Sequence, residues 1–171
     1  MFITARPLER SEWTAFRDMR LLSLKTDPGA FSGSYESWAA KTPAEWQDFI
    51  DGPGRKVIGL FDGVRLVGIS GVVASRSDRT GKTAMLVMAF IALQYRGRGL
   101  AKQLYDARMD WVRAAGFTKV VVSHRESDEA SRRANERHGF RVTKSLPRKW
   151  ADGAEEDEVF HELRIITEAA A

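Results

Sequence analysis

The stretch that most narrows the fold is TAMLVMAFIALQYRGRGLAKQL, residues 83–104. Its first half is almost continuously apolar, as expected of a strand in the middle of a sheet, covered on both faces. The run ends at Leu93 and passes through a turn carrying glycines at 97 and 99 and arginines at 96 and 98. A helical pattern begins at once, with Leu100, Leu104, Ala107, Trp111 and Ala115 on one stripe and Gly116 as its stop. "TKVVVSH" then reads as the next strand, so the glycine turn lies in a crossover between parallel strands.

Punctuation places the remaining elements. "FITAR" is a first strand, Ser11 to Leu24 a helix, and Pro28-Gly29 a break. "TPAE" at 42–45 has the form of a capping box, with Thr42 as N-cap and Pro43 at the first helical position. That helix turns Trp46, Phe49 and Ile50 inward and stops at Gly52. "RKVIGLF" and "RLVGISGVVAS" flank Asp62-Gly63, a strong hairpin signal, and Ser75–Lys82 is a second polar turn. "SDEASRRANERHG" is a short helix with Ser127 as N-cap, and "FRVTKSL" and "EVFHELRI" are the last two strands. The expected fold is α/β with a mixed, mostly antiparallel central sheet flanked by helices, in one domain spanning residues 1–171.

The turn before the helix suits an anion. Helix N-termini present unpaired N–H groups and the positive end of the dipole. Gly97 and Gly99 remove side chains from the anion's path and allow the positive φ of an anion-binding nest, and Arg96 and Arg98 add charge at the rim. Other phosphate motifs fail on spacing: no GxxxxGK[ST] run exists, and Lys102 stands where a dinucleotide fingerprint needs glycine or alanine. Charge is polarised too. Residues 94–149 carry 14 Lys/Arg against 6 Asp/Glu, whereas 150–171 carry one arginine against seven acids. The basic segment attracts a polyanion, either nucleic acid or a phosphorylated cofactor, and the acidic strip Asp152–Glu158 reads as a solvated surface. Spread over turn, helices and strands without an aromatic platform, these cations argue against nucleic acid. Without cysteine the chain has no disulfide, thiolate metal site or cysteine nucleophile, and its three histidines lack metal-ligand spacing. No apolar run approaches a membrane span, and the charged N-terminus does not read as a signal peptide. A soluble, cytoplasmic protein is expected.

"QYRGRG" at 94–99, followed about 40 residues later by "SDEASRRANERHGF", resembles the sequence blocks of the GNAT-family N-acetyltransferases. The resemblance follows the whole element order and is specific over residues 84–140. It implies direct transfer of the acetyl group of acetyl-CoA to a primary amine of a small molecule or peptide. In that family the motif strand splays from its neighbour and the pantetheine arm enters the gap. The implied cofactor site is the backbone of Phe90 and Ile91 for the pantetheine amides and the turn Gln94, Tyr95, Arg96, Gly97, Arg98, Gly99, Leu100 and Ala101 for the pyrophosphate. Tyr35 and Glu36 fall in the region that covers the acceptor, where Glu36 is either a cation's partner or a surface charge. The resemblance also implies a homodimer formed through the final strands, with "EVFHELRI" at an exposed edge.

The catalytic groups depart from the family pattern. Asn135 stands where a tyrosine often serves as acid to the leaving sulfur; asparagine donates a hydrogen bond but delivers no proton. It is therefore a cofactor contact or an exposed helix residue. The motif strand has no glutamate to act as base, which leaves His124, beside the splay, as a proton relay or a packed structural histidine. His138 is explained by its helix C-terminus. The missing tyrosine keeps a catalytically silent coenzyme A sensor as the alternative to an enzyme.

Overall fold

The computed structural model describes residues 2–166. The tightest connection is the two-residue turn between β2 (Arg55–Asp62) and β3 (Arg65–Ala74). Gly63 takes φ +59° and Val64 a negative φ, the pattern of a type II′ turn, so the turn's centre sits one residue later than Asp62-Gly63. β3 pairs antiparallel with β4 (Thr83–Ile91), and β1 (Ile3–Pro7) pairs antiparallel with β2. The turn between β3 and β4 is held by Asp78, which accepts hydrogen bonds from the Thr80 amide, Thr80 Oγ1 and Thr83 Oγ1.

The C-terminal half is strand, helix, strand, helix, strand, strand: β4, α4 (Leu100–Ala114), β5 (Lys119–Arg125), α5 (Glu129–Arg137), β6 (Arg141–Lys149) and β7 (Glu155–Arg164). The sheet runs β1-β2-β3-β4-β5-β7-β6, and only β4 and β5 pair in parallel. α1 (Trp13–Thr26), α2 (Tyr35–Ala39) and α3 (Pro43–Asp51) cover one face. The other carries α4, whose Leu100 and Leu104 pack with Ile58, Leu60 and Val67, and whose Met109 and Val112 pack with Val72 and Val120. The buried surface of α4 is wider than the predicted stripe: it takes in Arg108 and leaves Ala115 exposed.

On the first face the core is aromatic. Phe16, Trp38, Trp46 and Phe49 contact one another with ring centroids 5.0–6.5 Å apart, and Met88 and Phe90 of β4 close the cluster from below. Such rings carry both large apolar areas and specific edge-to-face contacts. α3 begins with the expected capping box: the Thr42 amide donates to Glu45 Oε2 at 2.7 Å and the Glu45 amide to Thr42 Oγ1 at 3.3 Å. The N-cap of α5 is Asp128 rather than Ser127, since Asp128 accepts from the Ser131 amide while Ser127 is drawn off to Glu156.

Two expectations are corrected by the topology. β7 is not an edge: it lies between β5 and β6, and its His161 and Val159 are buried. The outer strand is β6, an exposed strand whose lysines, arginines and Pro147 resist pairing with another chain. Nor is Asp152–Glu158 a free acidic surface. Arg125 donates to Asp152 Oδ2 at 2.6 Å, to Glu156 Oε2 at 2.9 Å and to the Gly29 carbonyl at 2.8 Å, and Arg148 pairs with Glu158.

These bonds pull the Glu156 carboxyl down to about 2, through Arg125 first and Ser127 second. A carboxyl depressed by folding stabilises the native state above its unfolded pKa, and that contribution disappears as pH falls through the folded value. The Glu156 contribution is therefore complete above about pH 4.5 and lost on approaching about pH 2. Arg125→Met should lower stability near pH 7 and flatten its decline over that acid window, as read by urea denaturation at a series of pH values.

Candidate active site

A β-bulge shapes the site. Gly71 pairs with Val87 and Ile69 with Phe90, so two residues of β4 oppose one of β3. Met88 takes φ +59°, the only positive φ outside glycine among the described residues, and its side chain is buried in the aromatic core. The extra residue bends β4. Its parallel ladder with β5 covers only Thr83–Met85 against Lys119–Val121. Beyond that the strands part, and residues 85–91 and 122–124 become opposite walls of a cleft of about 1750 Å³. Single-ligand pockets are commonly about 300–1,000 Å³, so this one has room for two reactants.

The cleft runs from the glycine turn at one end to α1 and the loop before α2 at the other. At the turn, Gly97 and Gly99 have φ +74° and +73°, and a Cβ on either would meet nothing within 4 Å. The space in front of the backbone is open. The amides of Gly97, Gly99, Leu100 and Ala101 take no hydrogen-bond partner among the described residues. Those of Tyr95 and Arg96 are already bonded to the Ala92 and Leu93 carbonyls, so the set of available donors begins two residues later than expected.

The side chains of the turn act mainly as fasteners. Tyr95 is buried and donates through Oη to Asp62 Oδ2 at 3.0 Å, which raises its own pKa. Arg96 donates to the Ile91 carbonyl at 2.8 Å and to Asp27 Oδ2 at 2.6 Å. Its charge is thus matched by a carboxylate, and the Ile91 carbonyl already has one donor. Arg98 stacks over the Tyr95 ring. Among the predicted cofactor residues, Phe90, Ile91, Tyr95, Arg96, Gly97, Gly99, Leu100 and Ala101 line the cleft, whereas Gln94 and Arg98 do not.

Asn135 lines the cleft from α5, half-buried, so the exposed-helix reading does not hold. Nearby, Tyr105 of α4 and His138 stack with centroids 3.6 Å apart, joining the two helices on the cofactor side. Burial lowers the His138 pKa, so the imidazole is packed rather than simply dipole-bound.

His124 also reaches the cleft, but both its nitrogens are engaged. Nδ1 lies 2.6 Å from the Arg125 carbonyl, which only accepts, so Nδ1 carries the proton. Nε2 of a neutral ring is then an acceptor and takes a hydrogen bond from Nε2 of His161 at 2.9 Å. That leaves His161 Nδ1 buried and unprotonated, with no partner among the described residues. Burial, then the neighbouring His124, depress the His161 pKa, which favours a neutral His161. The lone pair a proton relay would use on His124 is occupied.

The region around α2 differs from expectation. Tyr35 and Glu36 do not line the cleft: Tyr35 packs under Lys25, and Glu36 is exposed in the first turn of α2. The segment contributes Phe31, Ser32, Gly33 and Trp38 instead. The sequence pattern missed four further wall residues. Arg20 and Arg108 are 3% and 9% exposed, and burial lowers each guanidinium to about 10. Ser123 and Glu158 meet on the β5–β7 ladder, Ser123 Oγ donating to Glu158 Oε1 at 2.7 Å. A helix-spaced arginine reads as a surface residue in a sequence, and only tertiary packing shows otherwise.

The family model of the acetyltransferase (GNAT) family matches residues 13–140. No curated protein matches the chain. Among solved structures, an acetyltransferase of the GNAT family from Streptococcus pneumoniae superposes with TM-score 0.80 at 17% identity, covering 96% of this chain and all of that one, 100%. The protein yncA from Salmonella typhimurium, solved with its cofactor acetyl-CoA, gives 0.79 at 20% identity over 100% of this chain and 98% of that one. The ribosomal-protein-S18-alanine N-acetyltransferase from Escherichia coli gives 0.71 at 18% identity over 98% and 97%. Shared fold, open glycine turn and parted strands agree with the matched family, and the residues present suit the cosubstrate. The chain belongs to the GNAT family of acetyltransferases.

Proposed function

We propose that the chain transfers the acetyl group of acetyl-CoA to a primary amine of a small molecule or peptide by direct attack on the thioester. The observation that carries this reading is the continuity of the cleft, from the open amides of Gly97, Gly99, Leu100 and Ala101, through the parted strands, to the pocket beside Trp38. Acetyl-CoA supplies the activated acyl group. Gly97, Gly99, Leu100 and Ala101 hold the pyrophosphate through backbone N–H groups and the positive end of the α4 dipole. The edge that β4 turns toward the gap pairs with the pantetheine arm near Phe90 and Ile91.

The reaction asks little acid catalysis of the protein. A thiol has a pKa of about 8.5, so a thiolate leaves readily near neutral pH. Asn135 needs only to donate a hydrogen bond to the sulfur or the arm. Holding amine and thioester together in a walled cleft supplies the larger share of the rate. With His124 bound to His161, and Glu158 already accepting from Ser123 and Arg148, the amine's proton passes to water in the cleft. A cytoplasmic homodimer is part of this reading, with pairing away from the protected strand β7.

Gly97→Val and Gly99→Val should each weaken coenzyme A binding by roughly tenfold or more, because Val resists positive φ and fills the anion's space. Unchanged affinity of both folded variants in calorimetry would sink the cofactor site. Asn135→Ala should lower rate or affinity by about two- to twelve-fold, the worth of one neutral hydrogen bond. A thousand-fold loss would make Asn135 indispensable instead. Coenzyme A release across a panel of amines separates enzyme from sensor: tight binding with no release for any amine supports the silent reading.

A further inference from the structure

Arg20 is the residue the cleft leaves unexplained. It sits two turns before the end of α1, 3% exposed, in the wall of the cleft. Its guanidinium lies between two aromatic rings, 4.7 Å from the Phe31 centroid and 4.6 Å from that of Trp38. The rings stabilise the charge but offer no lone pairs to its five N–H donors. Among the described residues the one hydrogen-bond acceptor in reach is Ser23 Oγ, a weak contact at 3.4 Å, and Nε has no partner. Nothing acidic offsets its burial. Two other shielded arginines are matched, Arg125 by Asp152 and Glu156 and Arg148 by Glu158, whereas Arg108 and the half-buried Arg132 have no carboxylate partner among the described residues. A buried charge is tolerated when it is paired, and here the pair is incomplete.

We propose that the acceptor amine carries a carboxylate, and that Arg20 receives it at the α1 end of the cleft. Arg20 is a specificity residue in this account, resting on the acetyltransferase reading above. A guanidinium matches a carboxylate with two parallel N–H···O bonds, which also orients the ligand. The surroundings agree: Lys41, whose ammonium lies 5.0 Å from the Trp38 ring, and Arg55, above Phe49, line the same end without an ion-pair partner among the described residues. Arg108, the other unmatched buried guanidinium, belongs to α4 and so to the cofactor half.

The test uses amino acids with one to five carbons between amine and carboxylate, each beside its carboxamide, together with polyamines that carry no acid. Coenzyme A release is measured for each, with acetyl-CoA affinity by calorimetry in parallel. The acids should be acetylated in preference to their amides. Arg20→Gln should raise KM for the acids by about 10- to 100-fold, the range for losing hydrogen bonds to a charged group, and leave the amides and acetyl-CoA affinity unchanged. Arg20→Lys should recover part of the loss. Equal use of acids and amides, preference for polyamines, or no turnover of any acid while acetyl-CoA still binds would each overturn the proposal. So would weaker acetyl-CoA binding in Arg20→Gln, which would make a cofactor phosphate the missing anion. Should that variant fail to fold, the acid-to-amide preference of the unmodified enzyme decides. Failure of the wild-type protein to bind acetyl-CoA would instead remove the acetyltransferase reading itself.

Discussion

Past Met85 and Val121, β4 and β5 share no ladder, while β3 keeps pairing with β4 as far as Ile91. The departure has a local cause. One extra residue at Met88 forces a positive φ on a side chain that dislikes it, and such a conformation costs about 1–3 kcal/mol unless its surroundings impose it. Here they do: the Met88 side chain packs with Phe90, Trp38 and Phe16 in a dense aromatic core. That core holds the bend, and the bend keeps the sheet open in its middle. An open interior edge would ordinarily invite another strand. In this chain it faces the cleft.

Electrostatics follow the same geometry. Some of the cations that made the middle of the chain look like a polyanion binder take up distinct roles once folded. Arg96, Arg125 and Arg148 are matched by carboxylates and serve to fasten loops. Arg108, like Arg20 from outside that segment, is buried without such a partner and sits in the wall of the cleft. The charge excess is therefore partly structural and partly aimed inward. A count along the sequence sees only the sum.

What the sequence conveyed well was everything that depends on near neighbours in the chain. The capping box of α3, the crossover through the glycine turn and the open space before Gly97 and Gly99 all follow from spacing and from residue type. What it hid depends on residues far apart. Met88 gives no local sign of a bulge, because methionine is ordinary in a strand. His124 resembled a relay until His161, 37 residues later, was found against it. Tyr35 and Glu36 were one helical turn from the residue that does reach the cleft, Trp38, and a five-residue helix has too few positions to reveal its facing side. β7 read as an edge because it comes last, although the chain folds β6 outside it.

The bond between Arg96 and Asp27 ties the glycine turn to the residue that closes α1. Seven positions upstream, about 10 Å along the same rigid rod, stands Arg20. The glycine turn and Arg20 are thus attached to one helix, the turn through Asp27 at its end and Arg20 within it. Reciprocity then applies to whatever free energy couples the two ends of the cleft, so occupancy of one must tune affinity at the other by an equal factor in both directions. An exposed ion pair contributes about 1 kcal/mol or less, which bounds any coupling carried through it to a few-fold.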